Sequence, residues 1–195
     1  NRAVKGSGNV VSETRDSSSF NYLRVSGVFE VKVVVGESPN IEIEAEDNLI
    51  PLISTEIEQG VLRIRTTERI KPSKPVIVKV SVENLEKVKA SGATVIDLEN
   101  VDNSSLSIDL SGMAKLTASG KTEDLTVNTS GASSVETSKL SSSSAAVNAS
   151  GSSVVAVTVS ETLVARSSGA SRIRYSGSPR TVDQKKSGSS RIDTL

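Results

Sequence analysis

Apolar and polar residues alternate along most of the chain, and from residue 86 onward the alternation repeats about every nineteen residues. In one such stretch Leu106, Ile108 and Leu110 are separated by Ser107 and Asp109. Period-two alternation predicts strands with one buried face. A repeat of this length is too short for paired helices and is typical of a β-helix coil or a leucine-rich repeat. Because the leucine-rich consensus is absent, we predict an all-β, right-handed parallel β-helix.

A Ser-Gly pair marks each copy of the repeat and defines its register. The gaps between successive pairs are 20, 19, 20, 18 and 19 residues, and the pairs are Ser91-Gly92, Ser111-Gly112, Ser130-Gly131, Ser150-Gly151, Ser168-Gly169 and Ser187-Gly188. We number each coil so that this Ser is position 6 and this Gly is position 7. The glycines should form a ladder at a corner, where a Cβ would resist the required backbone angles. The serines beside them should hydrogen-bond along the stack or to backbone groups of the corner.

Two columns of aliphatic residues predict the core of the coils. Position 11 is aliphatic in every copy: Ile96, Leu116, Val135, Val155, Ile173 and Ile192. Position 3 is aliphatic in five copies and ends in a polar residue: Val88, Ile108, Val127, Val147, Ala165 and Gln184. Neighbouring strands lie about 4.8 Å apart, so equal positions of parallel coils stack into ladders. We therefore expect the position 11 and position 3 ladders to fill the core from two walls.

The chain divides into three segments by regularity. Residues 1–19 are polar and predict a loosely ordered start, with one strand near residues 9–14. Residues 20–85 alternate without the nineteen-residue period, although Gly27, Gly60 and Gly92 lie 33 and 32 residues apart. This segment forms either wider, irregular coils or a capping β subdomain, and either arrangement would cover the first edge strand. Residues 86–195 form the regular coils, whose last edge is either bare or covered by a partner, so an oligomer through this C-terminal edge is one expected arrangement.

The composition excludes several kinds of chemistry. The chain has no Cys, which excludes disulfides, thiol nucleophiles and thiolate metal sites. It has no His, which removes the commonest general base and the commonest metal ligand. The formal net charge is zero, and no apolar run approaches the roughly 18 residues of a membrane span. We accordingly expect no cofactor, no metal and, since aromatic residues are nearly absent, no nucleic-acid partner.

Carboxylates are the basis of an enzymatic alternative. β-Helix lyases and hydrolases use carboxylate clusters with a basic residue, and several acids are close in coil order here: Asp97, Glu99, Asp102, Asp109, Glu123 and Asp124. These acids occupy different coil positions and rarely stack, so no catalytic pair is predicted. A solvated acidic face is the interpretation that we favour. We therefore predict a non-enzymatic binding or scaffold module. A β-helix polysaccharide lyase or hydrolase stays open as an alternative, and so does a purely structural surface spacer.

Basic residues concentrate in the last coils and supply the candidate binding site. Residues 163–195 carry a net charge of +5 and the remainder carries −5. The register stacks Arg172 over Arg191 at position 10 and Arg166 over Lys185 at position 4, while Arg174 stacks over Asp193, which should partly neutralise it. Opposed like charges on adjacent strands are unfavourable, and a bound anion would offset the repulsion.

We therefore predict an anion-binding site made of Arg166, Arg172, Arg174, Lys185 and Arg191. Its expected partner is an anionic envelope glycan or a host surface ligand, and a hydrated basic face is the alternative. Position 4 also places Asn128 over Asn148, which would allow an amide ladder.

Four segments, in their order, resemble a known family. They are residues 8–15 (GNVVSETR), 23–31 (LRVSGVFEV), 72–78 (PSKPVIV) and 85–92 (LEKVKASG). The chain resembles the putative auto-transporter adhesin, head GIN domain family of Bacteroidetes-type bacteria over roughly residues 8–195. The resemblance implies a right-handed β-helix in a secreted or lipid-anchored protein of the outer-membrane surface or periplasm, and it offers no catalytic residues to carry over. Because the chain begins at Asn1 rather than Met, we expect either that a leader has been removed or that the sequence has been trimmed. A lipid anchor upstream of Asn1 is what the resemblance implies.

Overall fold

The alternating segments fold as strands that wrap into stacked coils. A computed structural model describes residues 2–195, and in it parallel coils of about 20 residues form a β-solenoid of about 5 turns. The predicted all-β class and parallel solenoid architecture are thereby confirmed. Within the described residues the helical structure is one short 3₁₀ turn, Ile50–Leu52.

Seventeen strands make up the described chain. They are β1 (Val4–Lys5), β2 (Val10–Arg15), β3 (Tyr22–Gly27), β4 (Glu30–Val35), β5 (Asn40–Glu46), β6 (Ile53–Glu58), β7 (Val61–Thr66), β8 (Ile70–Lys71), β9 (Ile77–Val82), β10 (Lys87–Gly92), β11 (Val95–Leu110), β12 (Lys115–Thr129), β13 (Ser134–Ala149), β14 (Val154–Ser167), β15 (Arg172–Ser176), β16 (Thr181–Lys186) and β17 (Arg191–Thr194).

Two walls of parallel strands run along the solenoid. Wall A consists, in stacking order, of β7, β3, β10, the C-terminal parts of β11 to β14, and β16. Wall B consists of β9, β4, the N-terminal parts of β11 to β14, β15 and β17. Strands β11 to β14 are long because each bends from wall B to wall A, and register irregularities such as the one between Leu98 and Val101 mark the bend.

The predicted core ladders are present in the predicted register. On wall B the position 11 residues are successive Cα partners from Ile96 to Ile192, and all of them are buried. On wall A the position 3 ladder is buried as far as Ala165 and ends at the exposed Gln184. Gln184 lies on β16, whose six residues are all exposed because β16 is the outermost strand of wall A among residues 2–195.

The glycines form the predicted corner, but the hydroxyl groups that stabilise it are mostly at another position. From Gly92 to Gly188 the position 7 glycines have φ between +65° and +75°. At the buried position 9, Ser133 Oγ donates to the Ser130 carbonyl at 2.9 Å, and the Ser171 and Ser190 hydroxyls make the same bond three residues back at 2.6 Å. At position 6 the hydroxyl of Ser150 makes the expected bond, donating to the Thr129 carbonyl at 3.1 Å, so the expected hydrogen bonding belongs chiefly to position 9.

The N-terminal coils do not stack in chain order. Strand β3 lies between β7 and β10 on wall A, and β4 lies between β9 and β11 on wall B. The coil of residues 61–82 is therefore stacked outside the coil of residues 22–35. Antiparallel strands cover the outer side: β6 pairs with β7, β5 with β9, and β2 with β5. The division into segments 1–19, 20–85 and 86–195 stays a prediction, and Asn1 lies outside the described residues.

Candidate functional site

The five predicted anion-site residues divide between the two walls. Arg172, Arg174 and Arg191 belong to wall B, where Arg172 and Arg191 are direct Cα partners and Arg174 is the partner of Asp193. Arg166 and Lys185 belong to wall A, where they are Cα partners at position 4. The strand register thus brings together the two like-charged pairs that the repeat alignment predicts, but on neighbouring faces of the C-terminal end.

Arg166 turns back toward a carboxylate instead of projecting freely beside Lys185. Its Nη2 lies 3.1 Å from Asp183 Oδ2 and its Nη1 lies 3.3 Å from Asp183 Oδ1, which is a two-pronged ion pair. Nη1 also donates to the backbone oxygen of Asp183 at 3.2 Å. The charge of Arg166 is therefore largely offset, and the excess positive charge on this part of wall A lies with Lys185 and the exposed Lys186.

On wall B the arginines have no such counter-ion. Within residues 2–195 the structure contains no ion pair for Arg172, Arg174 or Arg191, while Arg180 on the connecting loop pairs with Glu161 at 3.3 Å. Asp193 is the Cα partner of Arg174, but the two side chains do not form an ion pair, so the expected neutralisation of Arg174 does not occur by direct contact. The charge of this cluster is left to solvent or to a ligand.

A groove of about 470 Å³ runs along wall A beside the glycine corner. It is lined by positions 4 to 6 of five successive coils, and these include Asp109, Asn128, Asn148, Arg166, Lys185 and Lys186. Asn148 Nδ2 donates to Asn128 Oδ1 at 3.2 Å, so the amide ladder forms. Amide and hydroxyl groups follow the solenoid axis and positive charge lies at one end, an arrangement that suits a linear polar ligand bearing negative charges.

The carboxylates considered for catalysis do not form a compact constellation. Asp97 and Glu99 border a separate groove with Glu136, and Asp97 Oδ1 accepts a hydrogen bond from Thr117 Oγ1 at 2.6 Å. Asp102 faces Lys121, with 3.9 Å between the charged atoms. Across residues 2–195 there is no group of three or more Asp or Glu side chains placed to hold a metal ion. In the same residues no helix has the length and apolarity to cross a membrane.

Wall A carries a second row of basic residues, which the repeat alignment predicts only in part. Arg63, Arg24 and Lys89 are successive Cα partners on β7, β3 and β10, and all three are exposed. Arg24 and Lys89 each stand three residues before the coil glycine, so their shared position 4 is readable in the sequence. The stacking of Arg63 onto Arg24 is not readable, because it depends on β7 lying outside β3.

A protein-family model shows the family of the chain, and comparison with solved structures shows its fold. The family model described as "Putative auto-transporter adhesin, head GIN domain" matches residues 19–179. A putative adhesin from Bacteroides fragilis superposes with a TM-score of 0.79 at 15% identity, covering 99% of this chain and 100% of its own. A putative adhesin from Parabacteroides merdae has a TM-score of 0.59 at 21% identity, covering 99% of both chains.

A third structure carries a different description. It is a putative lipid binding protein from Parabacteroides distasonis, with a TM-score of 0.59 at 17% identity over 100% of both chains. At these identities the structural likeness shows the shared solenoid fold. No curated protein matches the chain. Because the family model covers most of the chain, the protein belongs to the auto-transporter adhesin, head GIN domain family.

Proposed function

We propose that the protein is a non-catalytic, adhesin-like binding module of the cell envelope, exported to the outer-membrane surface or periplasm, whose C-terminal coils bind an anionic envelope polymer. The observation that carries the proposal is the stacking of Arg172 on Arg191 without a counter-ion in the described chain. Family membership and the adhesin descriptions of structural relatives support a binding role and an exported location. A lipid anchor upstream of Asn1 belongs to the same proposal.

The physical argument is one of relieved repulsion. Like charges directly opposite each other on adjacent strands are destabilising, by roughly 0.2–1 kcal/mol per pair. A polymer that brings carboxylate or phosphate groups to Arg172 and Arg191 removes this cost. Guanidinium groups suit the task because they are always charged and present paired N–H donors that match both anions. The cluster then contributes to affinity while the free protein loses little stability.

Direct binding measurements test the proposal. Purified lipopolysaccharide and an acidic polysaccharide are immobilised, and binding of the full chain is measured from low to physiological salt. We expect affinity to fall steeply with salt, since exposed charges are screened over about 8 Å at 0.15 M. The double variant Arg172→Ser/Arg191→Ser should bind about two- to thirtyfold more weakly, because it removes two exposed charge pairs that contribute roughly 0.2–1 kcal/mol each.

Two further variants sharpen the test. Lys32→Ser with Lys115→Ser removes the same charge from exposed sites of wall B away from the C-terminal end, and it should bind like the wild type. Asp183→Asn frees Arg166 from its ion pair and should strengthen binding. Equal binding by the wild type and the Arg172/Arg191 variant, or no binding by the wild type at low salt, would contradict the proposal. Shortening of the polysaccharide during incubation would favour the lyase or hydrolase alternative instead.

A further inference from the structure

The basic row Arg63, Arg24 and Lys89 is built into the outward face of wall A at the end opposite the C-terminal cluster. The residues on either side of each member point inward and are buried, as Leu62, Leu23 and Val88 show. The three cationic side chains therefore project from consecutive strands in one direction. Consecutive strands lie about 4.8 Å apart, so the row presents a positive charge at each step over three coils.

The neighbours of this row leave it with excess positive charge. Glu56 is the Cα partner of Arg63 on β6, but its ion pair, at 3.9 Å, is with Arg65. Asp109 is the partner of Lys89 on the following coil. Arg24 lies between two cations, and within residues 2–195 the structure contains no ion pair for Arg63, Arg24 or Lys89.

A fourth cation lies beside the row. The Nζ of Lys87 lies 5.0 Å from the centre of the Tyr22 ring, two residues before position 4 on the same wall. This cation–π contact places the ammonium group over the ring face. The row and Lys87 therefore form a basic patch of four side chains at the N-terminal end of wall A.

The same outward column continues without a break to the C-terminal end. Successive Cα partners from β7 to β16 are Arg63, Arg24, Lys89, Asp109, Asn128, Asn148, Arg166 and Lys185. At about 4.8 Å per strand, Lys89 and Lys185 are roughly 24 Å apart, and the whole column is roughly 34 Å long. Basic side chains stand at both ends, and between them lies the groove with its amide ladder.

We propose that wall A binds one linear acidic polysaccharide along the solenoid axis. Its carboxylates contact Arg24 and Lys89 at one end and Lys185 at the other, and its hydroxyl groups hydrogen-bond to the amides of Asn128 and Asn148. The contacts at the C-terminal end rest on the proposed function, which places an anionic polymer on the C-terminal coils. The basic row at the N-terminal end is argued independently of that function.

The length and chemistry of the column favour this ligand class. A compact anion would occupy one end and leave the amide groove unused. Single-stranded nucleic acid binds by stacking bases on aromatic rings as well as by charge. The outward aromatic on the N-terminal part of wall A is Tyr22, and Lys87 already lies over its ring. A polymer of hydroxylated, carboxylated sugars matches both the amides and the cations.

A ligand that reaches both basic ends should show a length threshold. Once the first end is bound, the second contact is intramolecular and benefits from a high effective concentration. Polygalacturonate oligomers shorter than the gap between Lys89 and Lys185 should bind one end weakly. Oligomers that span it should bind about a hundredfold more tightly. Affinity should therefore rise in a step, rather than in proportion to length.

The experiment titrates the full chain with polygalacturonate oligomers of defined length at low salt. The wild type is compared with Arg24→Ser/Lys89→Ser, with Lys185→Ser, and with Lys32→Ser/Lys115→Ser as the charge-matched control. In either test variant the step in affinity should disappear, and the affinity for long oligomers should be tenfold or more lower than in the wild type. The control should show the same step and the same affinity as the wild type. The more conservative Arg24→Gln/Lys89→Gln should behave as its Ser counterpart, and circular dichroism verifies the fold of each protein.

The outcomes separate this inference from the proposed function. In one outcome, Arg24→Ser/Lys89→Ser loses the step while Arg172→Ser/Arg191→Ser binds as the wild type does. That outcome would support the wall A site and contradict the wall B cluster. Long oligomers that bind Arg24→Ser/Lys89→Ser as tightly as the wild type would overturn the wall A site. The wall A site would also be overturned if the wild type bound length-matched single-stranded DNA more tightly than polygalacturonate. A wild-type affinity that rises smoothly with oligomer length would overturn it as well.

Discussion

Gly131 lies so close to Gly112 of the preceding coil that a Cβ on Gly131 would be 2.5 Å from the Gly112 carbonyl oxygen. Gly131 also has a φ of +67°, which L-residues with a side chain adopt at a cost. The corner therefore requires glycine for two reasons, the backbone conformation and the close approach of the next coil. The close approach comes from the stacking of successive coils, which also forms the basic ladders on wall A, and the positive φ comes from the turn itself.

Gly131→Val should lower the free energy of unfolding by more than about 2 kcal/mol, because it adds a steric clash to a strained backbone position. The matched control is Ala132→Val, one residue further, where the side chain is exposed and where Val28 and Met113 occupy the equivalent corner position. Urea denaturation of both variants measures the difference. Equal midpoints for the two variants would contradict the corner assignment.

Val155→Asp should prevent folding, because the new carboxylate would be an unpaired charge in the core ladder. Val155 is fully buried between Val135 and Ile173, whereas its neighbour Val154 is 43% exposed on the outer face of wall B. Val154→Asp should therefore fold normally. Soluble expression and circular dichroism of the pair check the strand register, and two equally folded variants would show that the register is wrong.

Glu46 ties the N-terminal segment to the loop before β9. Its buried carboxylate accepts hydrogen bonds from the Gly8 backbone N–H at 2.6 Å, the Ser73 N–H at 2.7 Å, the Ser73 hydroxyl at 2.8 Å and the Lys74 N–H at 3.1 Å. Burial acts to raise the pKa of Glu46, but the hydrogen bonds from Ser73, Gly8 and Lys74 outweigh it and lower the pKa from 4.5 to about 2.

This carboxylate should make part of the stability depend on acid pH. Because the folded-state pKa is below the unfolded value, its contribution is present above about pH 4.5 and is lost as pH falls toward 2. The difference in unfolding midpoint between the wild type and Glu46→Gln should be largest near neutral pH and shrink through that window. Glu58→Gln, at an exposed carboxylate of β6, is the control. A constant difference from pH 7 to pH 2 would contradict the assignment.

The regular coils are predictable because the recurring Ser-Gly pairs fix the alignment of one coil with the next. Val155 and Ile173 share position 11 by simple counting from their Ser-Gly pairs, and the strand pairing follows from that alignment. The outward direction of Arg172 and Arg191 follows in turn, since they precede buried residues. Position 9 holds only small residues in every copy, and their size alone does not tell whether the hydroxyls point inward.

What could not be predicted depends on contacts between distant segments. Strand β7 stacks outside β3 although it follows β3 in the chain, so chain order misleads about the neighbours of Arg24. The ion pair of Arg166 with Asp183 depends on a side-chain rotamer, which no register determines. For these reasons the repeat alignment alone predicts more free charge at Arg166 than the structure has, and it does not predict that Arg63 extends a basic row at the N-terminal end.

The most direct test of the central claim is the unfolding midpoint of the wild type and of Arg172→Ser/Arg191→Ser, each measured with and without polygalacturonate at low salt. Without the polymer the variant should be equally or more stable, because the like-charge stack is gone. With the polymer the wild-type midpoint should rise more than that of the variant, since a ligand at 100 times its Kd stabilises the folded state by about 2.7 kcal/mol. A wild-type midpoint that does not respond to the polymer, or equal increases in both proteins, would contradict an anion site at the stacked arginines.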